Sequence, residues 1–453
     1  MYDLLIKNGK IVKSDFVFYG SIAVINGKIA AILQADTQAE AKKVIDAGGN
    51  FVLPGGIDSH AHLNDPGYCW REDYEHGTAA AAVGGVTTIV DMPLQNEPAM
   101  TDGKIMDTKE AAVSPQAFVD YCYWGGLTDY NLGSLKELDE KGCVAFKSFI
   151  GPVSPDYVSL SYGQAREAME IIKNFDGRAG FHCEDYSLIK WGENREIRNG
   201  NIHSWRAFLD SRPVVAEALA TEAIIMLSEE TGCAAHICHI SHPDVAELVR
   251  QSQKRGVNIT AETCSHYLTF TEDDVIHNGA LFKCAPPLRT AEERERLWEY
   301  VLDGTLSCVG SDHSPCREDE KGEGENGVFS VWGGISGIQN VMQSVYSEGV
   351  VKRGCDVTLL ARCLAEGPAK TFGIYGKKGA LEVGFDADIV VLEPEKEWEV
   401  TPESLLYLNK ISAFVGLKGK GLPVCTICRG EVVAENGNIV GKKGFGELVK
   451  KLK

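Results

Sequence analysis

The chain has 453 residues, 44% hydrophobic and 24% charged, the balance of a soluble globular protein and not of a disordered tail, a collagen or a small disulfide scaffold. Lys and Arg number 45 against 64 Asp and Glu, and the net charge of −19 argues against nucleic acid and anionic membrane surfaces as partners. At roughly 150 residues per domain, the length allows two or three domains, or one large barrel with an addition.

At the N-terminus, MYDLLIKNGKIV lacks the basic stretch and long apolar run of a signal peptide. No apolar run reaches the ~18 residues of a membrane span. The 14 cysteines, without an export signal, point to reduced thiols in the cytoplasm. LLIKNGKIV, SIAVINGKIAAIL and FVLPG read as short strands, with turn signals at Asn8-Gly9 and Asn26-Gly27. ADIVVLEP, VCTICRG and GNIVGKKG near the C-terminus read alike, with Asn436-Gly437. Residues 1–53 and 375–453 are therefore expected to form one small β-rich domain, a β-sandwich built from both termini.

Residues 54–374 alternate between apolar runs and helical patterns. Strands are expected at 55–62, 86–92, 118–124, 143–149, 179–184, 233–240, 257–263 and 307–312. Helices lie between them, among them 75–83, 166–174, 214–230 and 291–302. Eight strands alternating with helices is the α/β pattern of a (β/α)8, TIM-like barrel. A doubly wound sheet fits less well, because no Gly-rich phosphate turn follows an early strand. GEGENG at 322–327 matches GxGxxG but follows no strand and carries Glu323 and Glu325, which would repel a pyrophosphate; it reads as a mobile acidic loop.

In such barrels the C-terminal strand ends carry the chemistry. Here those ends hold His60 and His62, Asp91, Lys147, His182 with Glu184, His239, Glu262 with His266, and Asp312 with His313. His60 and His62, at i and i+2, share a strand face and can both ligate a metal. Lys147, inside the apolar run CVAFKSFI, needs an ion pair on a neighbouring strand or, uncharged, can capture carbon dioxide as a carbamate able to bridge two metal ions. His236 and His239 fall on opposite strand faces; His239, nearer the end, is the candidate, and His236 reads as a packed, hydrogen-bonded histidine. Asp312 can ligate a metal and shuttle protons, or cap a turn. Other chemistries fit less well. Cys425-x-x-Cys428 lacks a second pair for a structural zinc site. Strand alternation turns Cys183 and Cys238 away from the neighbouring histidines. No GxSxG elbow is present.

HxH, a strand Lys, His, His and Asp, in that order, resembles the amidohydrolase superfamily with its two-metal centre, over nearly the whole chain. PGGIDSHAHLNDPG, GTAAAAVGGVTTIVDMP, FKSFI, TAETCSHYL, KCAPPLR and SDHSPC look like its cyclic-amidase branch of hydantoinases, dihydropyrimidinases, dihydroorotases and allantoinases. Three features look most like allantoinases. Asn64 stands where dihydroorotases usually carry a carboxylate-binding arginine. VWGGISGIQN resembles the allantoinase form of the last substrate loop, with Gln339 where hydantoinases and dihydroorotases usually have Glu. GPVSP after FKSFI lacks the oxyanion-binding tyrosine that dihydropyrimidinases place there. Two features depart from the pattern: Gln95 in DMPLQ, where allantoinases usually read DMPLN with Asn96 only one step further here, and the first loop from Asp65 to Glu72, which shifts the tryptophan to Trp70.

The resemblance implies that His60, His62 and Asp312 bind one metal ion and His182 and His239 a second, with carbamylated Lys147 and a water or hydroxide bridging them. It implies that Asp312 is catalytic, taking a proton from the attacking water and delivering it to the leaving ring nitrogen, and that Gln95, Ser314 and backbone groups near Cys284 and Gly334 hold the ring. The implied reaction opens the hydantoin ring of allantoin, a cyclic ureide, to allantoate. The implied assembly is a homotetramer. Zinc is the default for both divalent ions, and a ligand set without thiolate also suits iron, manganese or cobalt. The neighbouring alternative is a hydantoinase for other 5-substituted hydantoins. From other classes come a metal-free scaffold of the dihydropyrimidinase type, against which the six filled ligand positions argue, and a zinc-stabilised structural protein.

Overall fold

The computed structural model describes residues 1–34, 37–153 and 157–452, so Ser154 and Pro155 of the GPVSP run lie outside the described residues. Eight parallel strands follow one another around a barrel: β1 (Gly56–Ala61), β2 (Val86–Asp91), β3 (Asp120–Gly126), β4 (Ala145–Ile150), β5 (Arg178–Cys183), β6 (Ala234–Ile237), β7 (Ile259–Cys264) and β8 (Cys308–Gly310). The ring closes between β8 and β1, where the His62 amide donates to the His313 carbonyl at 2.8 Å and the Ser311 amide to Asp58 Oδ1 at 2.9 Å. The strands are buried almost throughout, since helices cover the outer face and side chains fill the interior. That double burial is why they read as apolar runs without alternation.

Each expected barrel strand overlaps an observed one, but β6 and β8 stop short. His239 and Asp312 lie beyond them on left-handed backbone, with φ of 39° and 43°. Alternation along a strand therefore does not govern which way residues 238 and 239 point. The Cys238 thiol in fact lies within 4.8 Å of ligand atoms of His60 and Glu262. Burial pushes that thiol up to about 12, so it is no thiolate at neutral pH.

The helices begin and end on local chemistry. Asp73 caps Tyr74–Val83 by accepting from the His76 amide at 2.7 Å. Thr290 and Glu293 form a capping box on Ala291–Leu302. Val214–Thr231 stops at Gly232, whose φ of 70° only glycine adopts cheaply.

A second, mostly antiparallel sheet takes strands from both ends of the chain. Its order is Asn438–Ile439, Glu431–Glu435, Lys418–Cys428, Ile389–Glu399, Phe51–Pro54, Tyr2–Val12, Val17–Ile25 and Lys28–Gln34, with Ala41–Asp46 also paired to Tyr2–Val12. Leu4, Ile22, Val52, Ile389 and Ile427 share its core. Asn26-Gly27 and Asn436-Gly437 are hairpin turns with positive φ, as their sequence requires. Asn8-Gly9 is not a turn between strands. It is a bulge within Tyr2–Val12, where a Cβ on Gly9 would meet Val52 Cγ2 at 2.4 Å. Lys378 ties this sheet to the barrel, its buried ammonium lying 2.5 Å from Asp120 at the start of β3, 2.8 Å from Asp388 and 3.2 Å from Asp386.

Candidate active site

His60 and His62 leave β1 side by side, and both aim Nε2 at Asp312 Oδ1, at 3.2 and 3.4 Å. His60 Nδ1 faces Glu262 Oε1 at 2.5 Å. Donating that Nδ1 proton leaves the Nε2 lone pair pointing at a carboxylate oxygen, an opposition that a cation between them relieves. His182 repeats the arrangement with its nitrogens exchanged: Nε2 faces Glu184 Oε2 at 3.0 Å, which leaves Nδ1 facing His239 Nε2 at 3.1 Å. The His60 and His239 rings, 5.2 Å apart, join the two halves.

Lys147 rises from β4 at this centre. It is fully buried, and among the described residues no carboxylate pairs with its Nζ, so the ion pair to a neighbouring strand does not form. His62 Nδ1 and His239 Nδ1 are also buried without partners. An unpaired amine, a converging set of imidazole lone pairs and one carboxylate fit a centre for hard or borderline divalent cations.

The electrostatics agree with neutral imidazoles and an ionised carboxylate. Burial, then the charges of Lys147 and His182, hold His239 well below the usual histidine range. Burial also lowers His60, against the pull of Asp312. For Asp312, burial acts upward, but His60 and then His62 and His266 outweigh it and hold the carboxyl low. Glu184 is held at about 2: burial opposes this, and Arg212, Nη1 to Oε2 at 2.6 Å, together with His182 overcomes it.

The centre forms the floor of a cavity of ≈ 480 Å³. Leu94, Phe149, Phe208, Phe329, Val331 and Trp332 give it apolar walls, while Gln95, Ser314, Lys190, Glu193, Arg212 and Lys283 add polar groups. Gln95 therefore reaches the cavity and Asn96 does not; the Asn96 amide donates to the Met92 and Leu94 carbonyls, and its Oδ1 accepts from Lys109 at 2.8 Å. Cys284 and Gly334 stand one step behind the wall, which their neighbours Lys283, Ala285 and Gly333 line. A Cβ on Gly334 would lie 2.6 Å from Ser314 Oγ, so glycine lets these two segments touch. Tyr157 follows Lys147 in sequence, but its hydroxyl is occupied, donating to the Lys147 carbonyl at 2.7 Å and accepting from the Leu127 amide at 2.8 Å.

Other sequence candidates take structural places. Asp91 pairs with buried Lys109 at 2.6 Å and accepts from Tyr74 Oη at 2.9 Å. His236 is packed and bonded to Thr260 Oγ1 at 2.8 Å. His313 lies 3.4 Å from Glu72. At the GEGENG segment, His203 faces Glu323 at 2.5 Å, and the Val328 amide following it donates to the Ile202 carbonyl at 2.7 Å. Sequence reasoning missed Arg212, Glu193, Lys190 and Lys283. Arg212 and Lys283 meet partners far away in the chain, and Lys190 with Glu193 shows only the i,i+3 spacing of an ordinary helix-surface pair.

The amidohydrolase family pattern matches residues 51–433. The allantoinase of Rubrobacter xylanophilus is 39% identical over 448 residues, 97% of this chain and 96% of that protein. The allantoinase of Salmonella newport is 36% identical over 450 residues, 98% of each. Among solved structures, an L-hydantoinase (dihydropyrimidinase) from Arthrobacter aurescens superposes with a TM-score of 0.96 at 34% identity, over 100% of both chains. A D-hydantoinase superposes at 0.92 with 30% identity, over 100% of this chain and 99% of that one. No described helix is long and apolar enough to cross a membrane. Pattern, relatives and fold agree over nearly the full length, and the chain belongs to the amidohydrolase family, as an enzyme of its cyclic-amidase branch.

Proposed function

We propose that the protein hydrolyses allantoin to allantoate. The observation that carries the reading is the buried Lys147 amine, with which no carboxylate pairs among the described residues, beside four imidazoles and Asp312 on the floor of a small-molecule cavity. The choice of allantoin rests on the full-length likeness to two allantoinases.

His60, His62 and Asp312 would hold one divalent ion, His182 and His239 a second, and Lys147, as its carbamate, would bridge them. Zinc is the first expectation. Bound there, the ions would supply Lewis acidity to polarise the ring carbonyl and lower the pKa of a water. Asp312 Oδ1 faces two imidazoles, which leaves Oδ2 to take the proton of the attacking water and return it to the leaving ring nitrogen. Gln95 and Ser314 hold the ring, with backbone groups beside Cys284 and Gly334, and the apolar walls exclude bulk water.

Residues 54–374 act in this reading as the catalytic unit, and 1–53 with 375–453 as the appended domain. A homotetramer in the cytoplasm completes the proposal; the 14 unpaired cysteines accord with a reducing compartment. A hydantoinase for other 5-substituted hydantoins is the second reading, favoured by the TM-score of 0.96 to the L-hydantoinase. The deciding experiment is turnover of racemic allantoin by the purified, metal-loaded protein. Rapid appearance of allantoate is expected. No conversion by protein with metal bound would overturn the allantoin assignment in favour of the second reading.

A further inference from the structure

Residues 328–334 cover the cavity and present Phe329, Ser330, Val331, Trp332 and Gly333 to it. Their regular structure is a single 3-10 turn, Val328–Ser330. Yet five of the seven carbonyls in this segment end on just two ammonium groups. Lys283 Nζ donates to the carbonyls of Val328 at 2.8 Å, Phe329 at 3.2 Å and Val331 at 2.6 Å. Lys321 Nζ donates to those of Trp332 at 3.1 Å and Gly334 at 2.7 Å.

We propose that Lys283 and Lys321 are positioning residues that fix this lid in its substrate-contacting shape. The proposal rests on the reading of this cavity as the substrate site. Lys283 is buried, and no carboxylate pairs with it among the described residues. Burial pushes Lys283 down to about 7, and in its ammonium form three hydrogens on three acceptors is the full donor capacity. An apolar side chain of similar length would avoid the desolvation cost but leave three carbonyls unpaired. The backbone directly after the same lysine runs through Cys284 to Ala285, which lines the cavity, so one residue ties the wall of the cavity to its lid. Trp332 is fixed from two further sides. Its indole donates to the Ser314 carbonyl at 3.3 Å, and the Arg71 guanidinium lies 3.9 Å from its ring while pairing with Glu320. The first loop, the strand-end segment and the lid are thereby joined around the cavity mouth.

The test compares metal-loaded wild type with Lys283→Met by hydrogen exchange and steady-state kinetics. Amides of residues 328–334 are expected to exchange about tenfold faster or more, while those of β1 and β4 and the bound metal stay unchanged. KM is expected to rise about tenfold with kcat within about threefold, because a lid that must be ordered on binding weakens binding before it slows chemistry. Unchanged exchange in 328–334, or faster exchange spread across the barrel, would overturn the proposal. Lys321→Met, which frees two carbonyls and leaves Lys283 in place, gives the same readouts if Lys283→Met does not fold. If wild type opens no allantoin, the substrate reading fails alone, and the exchange data still decide the lid.

Discussion

Glu262→Gln is the sharpest probe of how the protein prepares His60 for its proposed role as a metal ligand. The Glu262 carboxylate is fully buried at β7, accepts from Ser59 Oγ at 2.5 Å, faces His60 Nδ1 at 2.5 Å and lies 3.5 Å from His236 Nε2. Burial alone would raise its pKa, but His60 and then His236 hold it well below the carboxylate range, so the partner of His60 is an anion. Glutamine keeps the shape, removes the charge and puts an NH2 where one oxygen stood. Either His60 or Ser59 then faces a donor instead of an acceptor. Losing one charge-assisted hydrogen bond costs about 1.5–3 kcal/mol. That equals a factor of about 10–150, which overlaps the roughly 10–100-fold loss seen when a ligand's orienting partner is removed. Competition with a chromophoric chelator should show metal affinity falling by that factor, while far-ultraviolet circular dichroism stays unchanged. Wild-type affinity and turnover in Glu262→Gln would refute the reasoning, since His60 would then need no anionic partner.

Lys147→Ala should lose metal and turnover together and recover part of both with added acetate, which would stand in for the oxygens of the proposed carbamate; metal analysis with and without acetate checks this, and full metal occupancy without acetate would exclude the proposed bridging role. Lys109→Met leaves the buried Asp91 carboxylate without its cation and should cost about 3–5 kcal/mol in denaturant unfolding; a loss under about 1 kcal/mol would mean that the Tyr74 hydroxyl and the Leu63 amide suffice to hold the charge. Glu184, held at about 2 against an ordinary 4.5, has a depressed folded-state pKa. Its contribution is therefore full above the unfolded pKa and lost as pH falls from about 4.5 through about 2, on the order of 3 kcal/mol. Glu184→Gln should flatten acid unfolding across that window, and an unchanged acid slope would count against the Arg212–Glu184–His182 chain as the cause.

The eight barrel strands were legible because burial on both faces forces long apolar runs, and most ligand-type residues stood out as polar groups interrupting those runs at one end. Lys147 is the clearest case, since nothing but function or an ion pair explains an amine within CVAFKSFI. The ends of β6 and β8 were not legible, because composition does not record where a strand leaves its ladder through a left-handed residue. Asn8-Gly9 carried a true signal for positive φ that a bulge uses as well as a hairpin turn. Arg212, Glu193 and Lys283 escaped for a different reason. Arg212 meets Glu184 across 28 residues of chain, and Lys283 meets Val331 across 48, so only the closed fold gives those charges their partners.

The left-handed residues show how that closure aims the site. Among the described residues eight non-glycines have positive φ, and three of them, Gln95, His239 and Asp312, line the cavity. Of the other five, Asn8, Asn26, Asp176 and Asn436 carry short polar side chains that tolerate the conformation. Histidine and glutamine have less of that tolerance, and each such residue stores on the order of 1–3 kcal/mol. The restraint comes from neighbouring strands. Directly after His239, the Ile240 amide donates to the Glu262 carbonyl on β7 at 2.8 Å. Directly after Asp312, the His313 amide donates to Ser311 Oγ at 2.9 Å and its carbonyl accepts from the His62 amide at 2.8 Å. Asp312 is therefore aimed by the seam that joins β8 to β1, the strand that carries His60 and leads directly into His62. The seam thus sets the carboxylate against both imidazoles, while Glu262 separately fixes the His60 ring.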